Sequence, residues 1–313
     1  MFKLTSLFLL FSATLAFGDS LTIAHRGASG YLPEHTLEGA AMAHGWNVDY
    51  IEPDLVMTKD RQLIIMHDIH LDTTTNVSKI FPKKKRKDGR FYVIDFSLKE
   101  IKQLKVNERI DLKTGKRAFP TRFPLNKGDF RVPTFEKFIE LIQGLNKSSG
   151  RNVGIYPEIK APSFHRKSGF DITKKVVEVL KKYRYTSKKS KIFLQCFEAK
   201  TLKRLRKEFN VKIPLIQLIA DDAWKLNKEN YANMRTPKGM QTISTYADGM
   251  GMWINHLIKV DKTKGPQSLG LIEAAAKLKL PIHVYTLRKE QLPPGFKNLQ
   301  SLADWLELSL IHI

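Results

Sequence analysis

Short apolar runs recur along the chain, separated by stretches in which apolar residues return every three or four positions. The runs at 21–24, 50–56, 63–66, 153–160, 192–197, 213–219 and 282–287 read as buried strands. The stretches at 36–43, 134–145, 171–183, 199–208, 267–278 and 301–308 read as helices. In the second of these, apolar residues fall at 135, 138, 139 and 142, and Pro133 stands just before the first turn. Strands alternating with helices through right-handed crossovers predict a parallel sheet, and this many repeats predicts an α/β barrel of the TIM (β/α)8 type. In such a barrel the C-terminal ends of the strands carry the chemistry.

Two parts break the rhythm. Residues 70–132 contain the basic run Lys83-Lys84-Lys85-Arg86-Lys87, an Asp88-Gly89 turn signal, a short helical stretch at 97–105, and a polar tail with Gly115 and two prolines. They read as an insertion after the early strands, placed to cap the barrel mouth. A looser region around Trp224, Tyr231 and Trp253 yields no firm element.

The ends carry their own signals. A basic start, an apolar run and the small residues Ala16 and Gly18 predict a signal peptide over residues 1–18, cleaved after Gly18, and hence a periplasmic or secreted protein. Residues 19–307 are then the barrel domain. After Arg288 only one helix is legible, so the last strand and helix of a full barrel are expected to be missing, and residues 308–313 read as a non-native tail.

Composition narrows the function classes. With 42% hydrophobic and 27% charged residues the chain is ordinary globular material, long enough for one large core. Cys196 is the single cysteine, so no intrachain disulfide exists. The formal charge of +22 invites a nucleic-acid reading. Yet the lysines are spread along the chain without a helix-turn-helix, zinc finger or aromatic-interleaved sheet, so no nucleic-acid partner is expected. A basic surface suits small anionic phosphodiesters and weak contact with anionic membrane surfaces.

The candidate chemistry lies at strand ends. His25 and Arg26 emerge where the first run stops, and His67 and Asp68 where the third one does. Strand side chains alternate, so Glu52 and Asp54 share a face, as do Glu158 and Lys160. Neighbouring carboxylates repel unless a positive charge lies between them. Glu52, Asp54 and Glu158 supply only oxygen ligands, which suit Ca²⁺ or Mg²⁺ rather than Zn²⁺. From spacing alone, an ion-pair cluster with Arg26 and Lys160 is the competing account. His25 and His67 titrate near neutral pH and are the candidate general acid and base.

The ordered set His25-Arg26-Gly27, Glu34-His35-Thr36, Glu52-x-Asp54 and His67-Asp68 resembles the glycerophosphodiester phosphodiesterases. Gly30 to Thr36, Asp54 to Asp60 and Lys87-Asp88-Gly89-Arg90 look like the periplasmic or secreted bacterial type. The resemblance implies one divalent cation on Glu52, Asp54 and Glu158, calcium ahead of magnesium. It further implies that one of His25 and His67 deprotonates the glycerol 2-hydroxyl while the other protonates the leaving alcohol, through a cyclic phosphate; which acts first stays open. Arg26 and Lys160 would hold the phosphate oxygens, with Glu34 orienting Arg26, and His35 and Asp68 would support the inner residues. Gln195, Trp253 and Tyr285 are candidates for the pocket lining. Two rivals share the barrel: a phospholipase D-like lipid phosphodiesterase and a non-catalytic surface-binding protein. The single cysteine and the long insertion weigh against the first, and the presence of every histidine and carboxylate against the second.

Overall fold

The computed structural model describes residues 21–261 and 263–311, with side chains through Leu306. The signal-peptide reading of residues 1–18 lies outside the described residues, as do residues 312–313 of the expected tail.

The wall begins with β1 (Ile23–His25), β2 (Tyr50–Glu52) and β3 (Asp54–Met57). β2 and β3 are two halves of one strand, interrupted at Pro53, which has no N–H to give to a ladder. β4 (Leu63–Ile65) follows, then β5 (Gly154–Ile155) and β6 (Glu158–Ile159), again split by a proline, Pro157. The wall continues through β7 (Leu194–Cys196), β8 (Leu215–Ile219) and β9 (Gly249–Trp253). A hairpin of β10 (Ile258–Asp261) and β11 (Gly265–Ser268) precedes β12 (Ile282–Tyr285). Parallel ladders join β1 to β2, β2 to β5, β3 to β6, and then β6, β7, β8, β9 and β12 in turn. No ladder joins β12 to β1 among the described residues, and no strand follows β12 there.

Helices on the outside bury their apolar faces on this wall. Phe135–Ser149, capped by Thr134, buries Phe135, Phe138, Ile139 and Ile142, the periodic positions read from the sequence. Leu37–Gly45, Ile172–Lys182, Ala199–Lys207 and Leu299–Ile311 lie within a residue or a few of their expected places.

Three expectations are corrected. The run at 63–66 is not a further parallel strand: β4 pairs antiparallel with β3, because five intervening residues cannot make the long crossover that a parallel neighbour needs. The looser region contains a barrel strand, β9, whose Gly-Met-Gly-Met-Trp sequence lacks β-branched residues. The glycines answer to packing, since a Cβ on Gly251 would stand 2.4 Å from Leu218 Cδ2. The helix expected at 267–278 is shorter, Leu271–Lys277, because its first residues belong to β11.

The β3–β4 hairpin divides two cores. Leu55, Met57, Leu63 and Ile65 face the main core, while Val56, Ile64 and Met66 on the other face meet Leu71, Phe91, Val93, Phe96, Ile101 and Phe130 of the insertion. The insertion thus has a hydrophobic core of its own, docked on the hairpin beside the mouth. Its basic run is a solvated face in which Arg86 pairs with Asp95 at 2.7 Å.

Candidate active site

The register of the wall sets the site. His25 at the end of β1 stands opposite Glu52, Asp54 opposite Glu158, and Glu158 opposite Gln195. Two successive levels of four neighbouring strands therefore carry an imidazole, three carboxylates and an amide. Beyond His25 the chain turns sharply, with Arg26 at φ +61° and Gly27 at φ +74°. A Cβ on Gly27 would lie 3.0 Å from the Gly39 carbonyl carbon, so only glycine suits this turn. The Arg26 N–H donates to Glu52 Oε2 at 2.9 Å, which anchors the carboxylate from the backbone.

Cations and carboxylates alternate around the mouth. Arg26 donates to both oxygens of Glu34 at 3.0 and 3.1 Å, and its Nε lies 3.6 Å from Asp54 Oδ2. Lys160 lies 2.7 Å from Glu158 and 3.4 Å from Asp54 Oδ1. His35 Nε2 meets Asp54 Oδ2 at 2.7 Å, a distance at which the ring nitrogen carries the proton and donates. Arg109, from the insertion, donates to both Glu34 oxygens at 2.6 and 3.1 Å and to Asp68 at 2.7 Å.

His67 returns to the level of Asp54 because β4 runs back against β3, and the Met66 N–H donates to the Asp54 carbonyl at 2.9 Å. Its Nδ1 faces Asp68 Oδ1 at 2.6 Å. The other Asp68 oxygen accepts from Thr73 at 2.8 Å and from Arg109. Nδ1 therefore holds the proton, and the Nε2 lone pair is free.

Burial and crowding displace several titrations here. Burial lowers His25 well below the ordinary imidazole range, with Arg26 and Arg288 adding to the effect. Burial, then Arg26 and Lys160, bring His67 down to about 4. Burial raises Glu52 well above its usual range, helped by repulsion from Asp54 and Glu158. Glu158 is pushed up to about 8 by burial, with Lys160 opposing and Asp54 contributing. Asp54 stays well below its usual range: burial opposes this, but Lys160, His67 and His35 prevail.

Such a cluster suits a divalent cation. Ligand atoms of His35, Glu52 and Asp54 lie within 4.8 Å of one another, and among the described residues the buried Asp54 Oδ1 has no hydrogen-bond partner, only the Lys160 ammonium at 3.4 Å. Burial, with repulsion from neighbouring carboxylates added to it, raises the two flanking glutamates, so a cation placed among them would favour their charged forms. Glu158 is drawn onto Lys160 and stands outside the tight group, whereas His35, expected only to support it, is inside.

Residues 25–309 match the model of the glycerophosphoryl diester phosphodiesterase family. The chain belongs to this family. The glycerophosphodiester phosphodiesterase of Haemophilus influenzae is 46% identical to it, over 92% of this chain and 84% of that protein. The one from Treponema pallidum is 38% identical, over 92% and 86%. Among solved structures, a glycerophosphodiester phosphodiesterase from Agrobacterium tumefaciens aligns with a TM-score of 0.57 at 20% identity, covering 86% of this chain and 87% of that one. A phosphodiesterase from Oleispira antarctica, solved with the product sn-glycerol-3-phosphate, aligns at 0.61 and 17%, covering 91% and 89%. At such identities the likeness speaks for the fold, the TIM barrel expected from the sequence.

The structure brings His25, Arg26, Glu34, Glu52, Asp54, His67, Glu158 and Lys160 into one mouth. Gln195 reaches Glu52 Oε1 at 3.5 Å. Tyr285 spends its hydroxyl on the Ile219 carbonyl at 2.6 Å and packs on Phe197, and Trp253 packs on Trp224, so both contribute shape rather than polar contacts. Arg109 escaped the sequence reading: it stands 75 residues from Glu34 in a polar segment of the insertion, and nothing local marks it.

Proposed function

We propose that this enzyme hydrolyses glycerophosphodiesters to glycerol 3-phosphate and an alcohol by metal-dependent, two-histidine acid and base catalysis. The observation that carries the reading is the His67–Asp68 pair beside the carboxylate cluster, with His25 at the same mouth. The product held by the Oleispira antarctica relative supports the substrate class. Glu52 and Asp54 would hold a calcium ion, joined by Glu158 once that carboxylate turns from Lys160, and the ion's charge would make the glycerol hydroxyls more acidic.

His67 Nε2 takes the proton of the glycerol 2-hydroxyl, and that oxygen attacks phosphorus. The bond from phosphorus to the alcohol oxygen breaks as His25 gives the alcohol its proton, which leaves a 1,2-cyclic phosphate. Burial is the main cause of the lowered basicity of His25; the incoming phosphodiester charge offsets the smaller part due to Arg26 and Arg288 and so favours the protonated ring. In the second half His25 takes a proton from water, the water oxygen attacks phosphorus, the bond from phosphorus to O2 of glycerol breaks, and His67 returns its proton to that oxygen, which gives glycerol 3-phosphate. Arg26 and Lys160 flank the reacting phosphate and oppose its growing negative charge. The pattern of residues 1–18 supports export, which N-terminal sequencing of the periplasmic or secreted product tests.

The experiment is release of glycerol 3-phosphate from glycerophosphocholine, with calcium, magnesium or chelator present, for the wild-type protein and the His25→Ala and Glu52→Ala variants. Turnover that needs metal and vanishes in both variants is expected. No turnover from folded, metal-binding protein would overturn the reading.

A further inference from the structure

At the edge of the mouth where β12 and β1 are not joined stands a cation that no carboxylate claims. Arg288 follows β12 at the C-terminal end of the wall, and the next residue, Lys289, places its Nζ 5.8 Å from the centre of the Tyr31 ring, so this segment meets the loop that carries Arg26. Among the described residues its guanidinium has one side-chain hydrogen bond, to Gln291 Oε1 at 3.4 Å, and no ion pair. The other cations of the site are already engaged: Arg26 with Glu34, Lys160 with Glu158, and Arg109 with Glu34 and Asp68.

A strap from the insertion holds Arg288 in place. Its guanidinium lies 5.4 Å from the centre of the Phe119 ring, and that of Arg122 lies 3.9 Å from the same ring. Arg122 in turn pairs with Glu290 at 2.8 Å. Phe119 thus carries two arginines, one tied to the loop after β12 and the other left for a ligand.

We propose that Arg288 binds the non-bridging oxygens of the substrate phosphate, positioned by Phe119, Arg122 and Glu290. The assignment deepens the phosphodiesterase reading and rests on it. A half-buried guanidinium beside a second one is unfavourable until an anion arrives, and a planar fork matches two phosphate oxygens. Burial, then Arg26 and Arg122, lower Arg288 only to about 10, so it stays charged at neutral pH. Arg26 and Lys160 must share their charge with carboxylates when phosphate binds. Arg288 need not.

Wild-type, Arg288→Gln, Arg288→Lys and Phe119→Ala proteins, each loaded with the cation that supports turnover, are titrated calorimetrically with glycerol 3-phosphate and assayed on glycerophosphocholine. Loss of the fork in Arg288→Gln is expected to weaken glycerol 3-phosphate by about 30-fold or more, with metal affinity and melting temperature unchanged. Lysine should recover part of the affinity, and Phe119→Ala should lose less than Arg288→Gln. Product affinity in Arg288→Gln within about threefold of wild type would overturn the assignment while wild-type turnover leaves the phosphodiesterase reading standing. A wild-type protein that neither binds glycerol 3-phosphate nor turns over would overturn both.

Discussion

Replacing Asp68 by asparagine isolates the tautomer of His67. Asp68 Oδ2 accepts from Arg109 at 2.7 Å and Thr73 at 2.8 Å, so an asparagine keeps its carbonyl oxygen there and turns its NH₂ toward His67. That NH₂ donates to Nδ1, which moves the imidazole proton to Nε2, where the base is needed. Loss of the correct tautomer costs about 10²–10⁴-fold in kcat, by analogy with the Asp–His pair of serine proteases. Asp68→Ala leaves the ring free to adopt either tautomer, so alanine should retain more activity than asparagine. Weakening the Arg109 contact costs about 1–3 kcal/mol of stability, so the assay is run well below the melting temperature of each variant. Initial rates of glycerol 3-phosphate release at saturating metal and substrate decide the matter. Asp68→Asn activity within about tenfold of wild type, or above that of Asp68→Ala, would refute the tautomer argument.

Glu52→Gln removes one of three crowded buried charges yet keeps an oxygen for the Arg26 N–H, so the metal-free variant should melt no lower than wild type. It should also lose the stabilisation by calcium, about 2.7 kcal/mol for wild type at one hundred times the dissociation constant and read as a rise in melting temperature; an undiminished rise would count against Glu52 as a ligand. Glu158 has its folded pKa raised to about 8, so its contribution to metal-free stability is present below its unfolded value and lost as pH rises through about 8. Protons and calcium compete for this carboxylate, so stabilisation by calcium should be larger at the alkaline end of that window; thermal melts showing a pH-independent gain would contradict it. Gly154→Ala places a Cβ 2.4 Å from the Tyr50 ring and 2.8 Å from the Lys191 carbonyl, which should cost about 1–3 kcal/mol in denaturant unfolding, and an unchanged midpoint would mean that the wall yields there.

The barrel was legible wherever a strand is a run of branched or bulky apolar residues, as in β7 and β8, and wherever a helix shows its period, as in Phe135–Ser149. It was illegible at β9, where glycine and methionine satisfy close packing against β8 and leave no β-forming signature. The direction of β4 was misread because an apolar run has no direction of its own; the length of the connection to β3 decides it. Among site residues, those at strand ends could be read because alternation and strand termination are local properties. Arg109, Phe119 and Arg122 could not, since polar insertion residues look alike until the insertion folds.

The sequence by itself therefore determined the class of barrel, which follows from periodicity, and placed His25, Glu52, Asp54, His67, Glu158 and Lys160 at strand ends, which follows from neighbours a few positions apart; the family was legible as a resemblance of ordered motifs. Only the tertiary structure decided how the charges are shared. Docking of the insertion core on the β3–β4 hairpin brings Arg109 to Glu34 and Asp68, and the Phe119–Arg122 strap to the loop after β12. Which cation is spent on a carboxylate and which is left for phosphate depends on contacts across 75 and 168 residues of chain, and such contacts are set by packing between separately formed surfaces.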